Sequence, residues 1–347
     1  MNLKTILTTL AATTLISTAV NADVPANLKD AEDGGAPQVA TAQNITIPAD
    51  TTLIKVNHTR PFVKQISNVV YAQVPSRGFD NVPLQMDILQ PQSKTPTPAI
   101  VYITGGGFIN ANKDSYPQQR MDLAEHGYTV ASINYRVAPT AQFPQPLEDV
   151  KSAIRYLRAN AQKWNIDPNH IGVFGGSAGG YLAAFAGTTN GNKTFDTGDN
   201  LNVNSDVQAV VDTYGLSDLS QVGMDYSPAV QKLHQSSGAT EALWVLGSGV
   251  FGGKDGGVLQ YPDLVQKANP ITYITKRSAP SLFMHGTADT SVSPNQTELL
   301  HQALQKAGVE STRYMIEGAP HGGPMWVEPQ IMKIVEDFFD KHLKTNK

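Results

Sequence analysis

At 347 residues the chain is long enough for one large α/β domain or two small ones. Its 26 basic and 30 acidic side chains leave a net charge of −4 and no basic block, which excludes the electrostatic footprint of a nucleic-acid binder. Cysteine is absent, which excludes disulfides, thiolate metal sites, a lipid-bearing cysteine and a cysteine nucleophile; covalent chemistry would fall to Ser, Thr, Lys or a carboxylate.

The first 22 residues carry Lys4, an apolar and Thr/Ser-rich run from Ile6 to Val20, and Val20-Asn21-Ala22 ahead of Asp23. This is the layout of a secretory signal peptide, and its apolar run is too short and too polar for a membrane span. The expectation is cleavage near Ala22/Asp23, a secreted or periplasmic location and no stable membrane insertion. Residues 23–64 are rich in Ala, Asp, Thr, Pro and Asn with little periodicity and read as a loosely ordered N-terminal extension.

From residue 65 to 347 the pattern predicts one α/β domain. Ile66–Val74 and Val82–Leu89 read as paired N-terminal strands, and Pro98–Thr104 as a near-continuous apolar strand buried on both faces. Tyr128–Tyr135, Ile171–Phe174, Val207–Thr213, Ser281–His285 and Thr312–Ile316 read as further strands. The spacing of Leu147, Val150, Ile154, Leu157 and Trp164 predicts an amphipathic helix over Pro146–Trp164, with Glu148 and Asp149 in the first turn where the macrodipole favours acids. Tyr181–Ala186, Pro294–Ala307 and Val327–Leu343 are the other predicted helices. Strands alternating with helices imply a mostly parallel sheet flanked on both faces. Residues 219–269, with Gly247, Gly249, Gly252, Gly253, Gly256 and Gly257 among Trp244, Leu246 and Phe251, break the alternation and read as a cap or lid insertion.

Gly175-Gly176-Ser177-Ala178-Gly179 stands between a predicted strand and a predicted helix. A serine on such a sharp turn needs glycines two residues to either side, because backbone strain and close helix–strand packing leave no room for a Cβ; the turn lifts the hydroxyl out of the sheet, beside helix N-terminal amides. Thr104-Gly105-Gly106-Gly107-Phe108 ends the strand over 98–104, at the sheet edge where ligands bind in open α/β folds. A serine hydroxyl needs a general base, and of the eight histidines His321, in Gly318-Ala319-Pro320-His321-Gly322-Gly323, completes the chain order nucleophile, acid, base. His285 is the rival, expected to be structural at a strand end; His58, His126, His170, His234, His301 and His342 read as solvated or capping. The acid that orients the imidazole is Asp289, four residues past a strand, with Asp218 as competitor and otherwise a turn or capping residue. Asp196, Asp199 and Asp206, among Asn and Gly, read as solvated turns; no metal or cofactor is implied.

The chain resembles α/β-hydrolases of the acetyl esterase and hormone-sensitive-lipase type, and more closely the exported bacterial feruloyl and acetylxylan esterases. The resemblance runs from Val69 to Leu343 and rests on Thr104–Gly107, Asn134-Tyr135-Arg136-Val137-Ala138-Pro139, Phe143-Pro144 with Glu148-Asp149-Val150, Gly175–Gly179, Val207–Asp212, His285-Gly286 with Asp289, and Gly318–Gly323. It implies hydrolysis of short-chain acyl or carbohydrate-linked acetyl or feruloyl esters through an acyl-enzyme on Ser177, with an oxyanion hole made by the amides of Gly106, Gly107 and Ala178. One position departs from the pattern: Thr104 stands where such families carry a loop-supporting histidine, and its hydroxyl is expected to bond the loop backbone instead. Substrate selection is assigned to residues 219–269 and to Trp326, against ordinary packing. The partner expected is a small-molecule or polysaccharide-linked ester; the sequence specifies no oligomeric state. An exported serine peptidase or amidase of the same fold, and a non-catalytic binding protein on that fold, are the alternatives.

Overall fold

The computed structural model describes residues 46–76 and 78–344. The leader expected over residues 1–22 lies outside the described residues, as does much of the expected extension. Residues 46–57, which form no helix or strand, belong to a separate unit; His58 onward forms the main unit. No helix among the described residues is long and apolar enough to cross a membrane.

The main unit is built on eight strands: β1 (Val63–Ser76), β2 (Phe79–Pro91), β3 (Thr97–Ile103), β4 (Thr129–Ile133), β5 (Ile166–Gly176), β6 (Ala209–Thr213), β7 (Ser281–Gly286) and β8 (Ser311–Ile316). They form one sheet in the order β1-β2-β4-β3-β5-β6-β7-β8. The β1–β2 and β2–β4 pairs are antiparallel and all others parallel. Among the described residues the α-helices are α1 (Pro117–Glu125), α2 (Gln145–Ala159), α3 (Ala178–Thr188), α4 (Pro228–His234), α5 (Thr240–Leu246), α6 (Pro262–Lys267), α7 (Asn295–Lys306) and α8 (Pro329–Leu343). This is the α/β-hydrolase fold, with its mostly parallel sheet covered on both faces.

The period of two along β3 divides its side chains between the two layers. Val101 and Ile103 pack with Leu147, Val150 and Ile154 of α2 and Leu182 of α3, whereas Ile100 and Tyr102 pack with Leu123 of α1 and Val335 and Phe339 of α8. A strand buried on both sides has to be apolar at every position, which is why it reads as an unbroken run.

The differences from expectation have local causes. Helix α1 escapes the periodicity argument because two of its buried side chains are polar. One of them, Gln119, accepts from Tyr102 Oη at 2.6 Å and donates to the Trp326 carbonyl at 2.6 Å. Strand β6 starts at Ala209 rather than Val207 because side chains stand in for ladder partners there: Gln208 Oε1 accepts from Ile171 N at 2.9 Å and Asn190 Oδ1 from Val207 N at 2.9 Å. Strand β5 begins earlier than predicted, since Ile166 pairs with Thr97.

Asp149 does not serve the helix dipole. It is 1% exposed and its two oxygens take Arg136, with Nη2 to Oδ1 at 2.7 Å and Nε to Oδ2 at 3.0 Å, plus the Arg136 amide at 2.8 Å. Burial pushes its carboxyl up, and the Arg136 guanidinium pulls the other way. Two fragments of the motif over 134–150 thus exist to meet each other. Arg136→Met should leave this carboxylate buried without its counter-charge and cost about 3–5 kcal/mol in urea unfolding; a loss under about 1 kcal/mol, the value of an exposed pair, would contradict that role.

Candidate active site

Ser177 lies between the end of β5 and the start of α3 with φ 56° and ψ −125°, a strained conformation for a residue with a side chain. The surroundings enforce it. A Cβ on Gly175 would fall 2.2 Å from the Gly179 carbonyl oxygen, and one on Gly179 would fall 2.0 Å from that of Ile103. The Ser177 amide donates to the Thr213 carbonyl at 2.9 Å, tying the turn to the end of β6.

Strands β7 and β8 deliver the partners. His321, five residues beyond β8, places Nε2 2.8 Å from Ser177 Oγ and Nδ1 2.7 Å from Asp289 Oδ2. The serine hydroxyl thus donates to one ring nitrogen while the other donates to the carboxylate, an order set by the acceptor-only character of Asp289 when ionised. The Asp289 side chain has no exposure. Burial pushes its carboxyl up, but hydrogen bonds from His285, His321 and the Val292 amide outweigh it and hold the group well below the usual carboxylate range. Ser291 N at 2.8 Å and Val292 N at 3.0 Å both donate to Oδ1.

His285 is structural, as expected, and adds a contact the sequence does not reveal: its fully buried ring places Nε2 2.9 Å from the Val292 carbonyl and 3.2 Å from Asp289 Oδ2. Asp218 is a cap. It accepts from Ser220 N at 3.0 Å, Gln221 Nε2 at 2.7 Å and Asn269 Nδ2 at 2.8 Å, and makes no contact with His321.

The glycine loop after β3 packs against the same turn, with Gly105 close to the Gly176 carbonyl and to Ser177 Cβ. Its Gly106 carbonyl accepts from Ile109 N at 3.1 Å and Asn110 N at 3.0 Å, which turns the loop tightly. The amides of Gly107 and Ala178 make no hydrogen bond among the described residues, and both residues border the cavity in front of Ser177; Gly106 borders the smaller space on its other side. Thr104 corrects an expectation: its Oγ1 is buried and bonds nothing. The support comes instead from Tyr135, whose hydroxyl donates to the Thr104 carbonyl at 2.8 Å.

Trp326 also departs from expectation. It is fully buried and cannot meet a substrate; its ring packs at 4.5 Å against Tyr214, which lies 4.8 Å from the His321 ring. Trp326 Nε1 donates to the Pro320 carbonyl at 2.9 Å, so this indole and phenol brace the loop that carries His321. Asp196 is not a solvated turn but an ion-pair partner of buried Arg155 at 3.0 Å.

Two cavities open beside Ser177. One, of about 240 Å³, is bordered by Tyr102, Tyr116, Tyr214 and the glycine loop. The other, of about 680 Å³, lies between Ser177, Gly107 and His321 and the short helices α4 and α5. His234, read from the sequence as solvated or capping, is part of its wall.

A hydroxyl, an imidazole and a buried carboxylate in a hydrogen-bonded chain at the carboxyl edge of this sheet are the arrangement of serine hydrolases on the α/β-hydrolase fold. The chain belongs to the BD-FAE family, whose profile matches residues 86–304. It is similar to a solved truncated carbohydrate esterase from gut microbiota, with 33% identity, a TM-score of 0.69 and coverage of 81% of this chain and 97% of that one. It is also similar to an acetyl ester-xyloside bifunctional hydrolase from Caldicellulosiruptor lactoaceticus, with 26% identity, a TM-score of 0.60 and coverage of 74% and 88%. Among curated proteins, Esterase LipC of Mycobacterium tuberculosis is 28% identical over 229 residues, which are 65% of this chain and 53% of that protein. The chain spans about half the length of the curated relatives it matches.

Because Asp289 is held below its ordinary range in the fold, it contributes stability in full above about pH 5 and loses that contribution as pH falls further. The stability difference between wild type and Asp289→Asn should therefore shrink between about pH 5 and pH 2 in urea unfolding. A difference that is flat or grows toward acid would contradict the ionised, hydrogen-bonded carboxylate.

Proposed function

We propose that this chain hydrolyses carboxylic esters through an acyl-enzyme on Ser177, with His321 as general base and then acid, and Asp289 as the group that orients it. The observation that carries the reading is the continuous chain Asp289 Oδ2, His321 Nδ1, His321 Nε2, Ser177 Oγ at 2.7 Å and 2.8 Å. The esterase names of its relatives support it.

Ser177 Oγ attacks the ester carbonyl carbon as its proton passes to His321 Nε2, and the carbonyl electron pair moves onto oxygen. The free amides of Gly107 and Ala178, with that of Gly106, receive this oxyanion. The C–O bond to the alcohol then breaks and the alcohol leaves with the proton from His321. Water, deprotonated by the same nitrogen, attacks the acyl-serine; the acid departs and Ser177 regains its proton. Asp289 stays ionised throughout and stabilises the imidazolium formed at each attack.

Ser177→Ala should lose turnover of 4-nitrophenyl acetate by about 10⁶-fold and lose labelling by a fluorophosphonate. Near wild-type turnover, or labelling at another residue, would overturn the assignment. Parallel assay of an ester and its matched amide separates an esterase from a peptidase or amidase.

We also propose that the protein is exported. The basic, apolar and small-residue order of residues 1–22 supports this. The secreted or periplasmic fraction should contain a chain starting near Asp23 by N-terminal sequencing; full-length protein confined to the cytoplasm would rule the leader out.

A further inference from the structure

The larger cavity beside Ser177 holds a charged pair that the hydrolytic chemistry does not use. His234 is the last residue of α4 and Glu241 the second of α5, and His234 Nδ1 lies 2.7 Å from Glu241 Oε1. Both border the cavity together with Gly107, Ser177 and His321. The residue before Glu241, Thr240, reaches to 3.9 Å from where a Cβ on Gly107 would stand, so the pair adjoins the glycine loop.

The Glu241 side chain is only 7% exposed, and His234 is its single hydrogen-bond partner among the described residues. A carboxylate offers about four acceptor sites, and a group this buried ordinarily fills them. Here the unfilled acceptors belong to a residue on a substrate cavity. His234 is the complementary half. Its hydrogen bond to Glu241, opposed by burial, raises it above the usual imidazole range, and Nε2 makes no hydrogen bond among the described residues. One donor and several acceptors stand side by side, while Leu216, Val230 and Leu233 make the neighbouring wall apolar.

An aryl or alkyl alcohol group filling this space would strip water from Glu241 and return no hydrogen bond, which penalises such substrates. Adjacent hydroxyls on a ring would donate to the carboxylate and accept from the imidazole, with the ring's apolar face on the leucine and valine side chains. We propose that Glu241 and His234 form a hydroxyl-binding subsite for the alcohol half of the substrate, so that the site selects acyl esters of carbohydrates or similar polyols over esters of simple alcohols and phenols. The inference rests on the ester-hydrolase reading above and names the substrate class of that same site.

The test compares wild type, Glu241→Gln, Glu241→Ala and His234→Ala on acetylated xylo-oligosaccharide and on 4-nitrophenyl acetate, with unacetylated xylobiose as competitor. In Glu241→Ala the ratio of kcat/KM for the oligosaccharide to that for the phenyl ester should fall about 10- to 100-fold, the range for a hydrogen bond to a charged group, mainly through KM. Glu241→Gln, which keeps one acceptor oxygen and the side-chain volume, should fall between, and inhibition by xylobiose should weaken in the same order. If Glu241→Ala does not fold, Glu241→Gln and the wild-type xylobiose inhibition still decide. A parallel fall on both esters marks a structural role and overturns the subsite. So does a wild-type enzyme that cleaves the phenyl ester but neither prefers the oligosaccharide nor is inhibited by xylobiose. Wild type that cleaves neither ester removes the ester-hydrolase reading and the subsite with it.

Discussion

A Cβ on Gly179 would sit 2.0 Å from the Ile103 carbonyl oxygen, so the first turn of α3 lies flush against the end of β3. That contact brings the glycine loop after β3 onto the serine turn after β5, and it leaves Ser177 with a left-handed backbone that only a fully packed surround sustains. Neighbouring strand ends continue the linkage. Ser177 N reaches the Thr213 carbonyl, Tyr214 N the Met284 carbonyl at 2.8 Å, and Ala288 N the Ala319 carbonyl at 3.1 Å. Main-chain bonds thereby link the strand ends and loops from β5 through β6 and β7 to β8, and close packing adds the loop after β3, which is why side chains more than a hundred residues apart meet at hydrogen-bond distance.

Within this frame the electrostatics follow from burial. Asp289 loses its water entirely, and a carboxylate in that position persists only when its lone pairs are filled. Two amides and two imidazoles fill them. His285 therefore acts through Asp289, and Tyr214 and Trp326 act through His321 by fixing its loop with ring contacts. Arg136 and Asp149, further out, apply the same rule to the loop that bears Tyr135, whose hydroxyl holds the Thr104 carbonyl. The hydroxyl of Thr104 plays no part, since a backbone carbonyl fixes the loop as well as a side chain would.

The segment over residues 219–269 is organised differently from the sheet. It consists of short helices such as α4, α5 and α6 joined by glycine-containing turns. Its inner surface mixes leucine and valine with a buried carboxylate and an imidazole. That pair is held by its own hydrogen bond, as Arg136 and Asp149 are, and differs from them in bordering the cavity beside Ser177.

The chain order of the glycine run, Ser177, Asp289 and His321 was legible in the sequence, because the first three follow buried apolar runs and His321 follows the next strand, β8. The alternation of strands and helices was legible for the same reason: burial on both faces leaves no position free to be polar. Helix α1 was not, because Gln119 and Arg120 are buried by hydrogen bonding rather than by hydrophobicity. Chain order already favours Asp289 over Asp218, and packing adds which groups consume Asp218, namely Ser220, Gln221 and Asn269. The burial of Trp326 and the place of His234 on the cavity wall are not legible in the sequence for one cause: a residue's neighbours in sequence do not reveal which side of a loop it turns to the core. Local pattern determined the elements and the candidates, and tertiary packing decided which candidates touch, because contacts between chain-distant residues depend on how the strand ends are stacked.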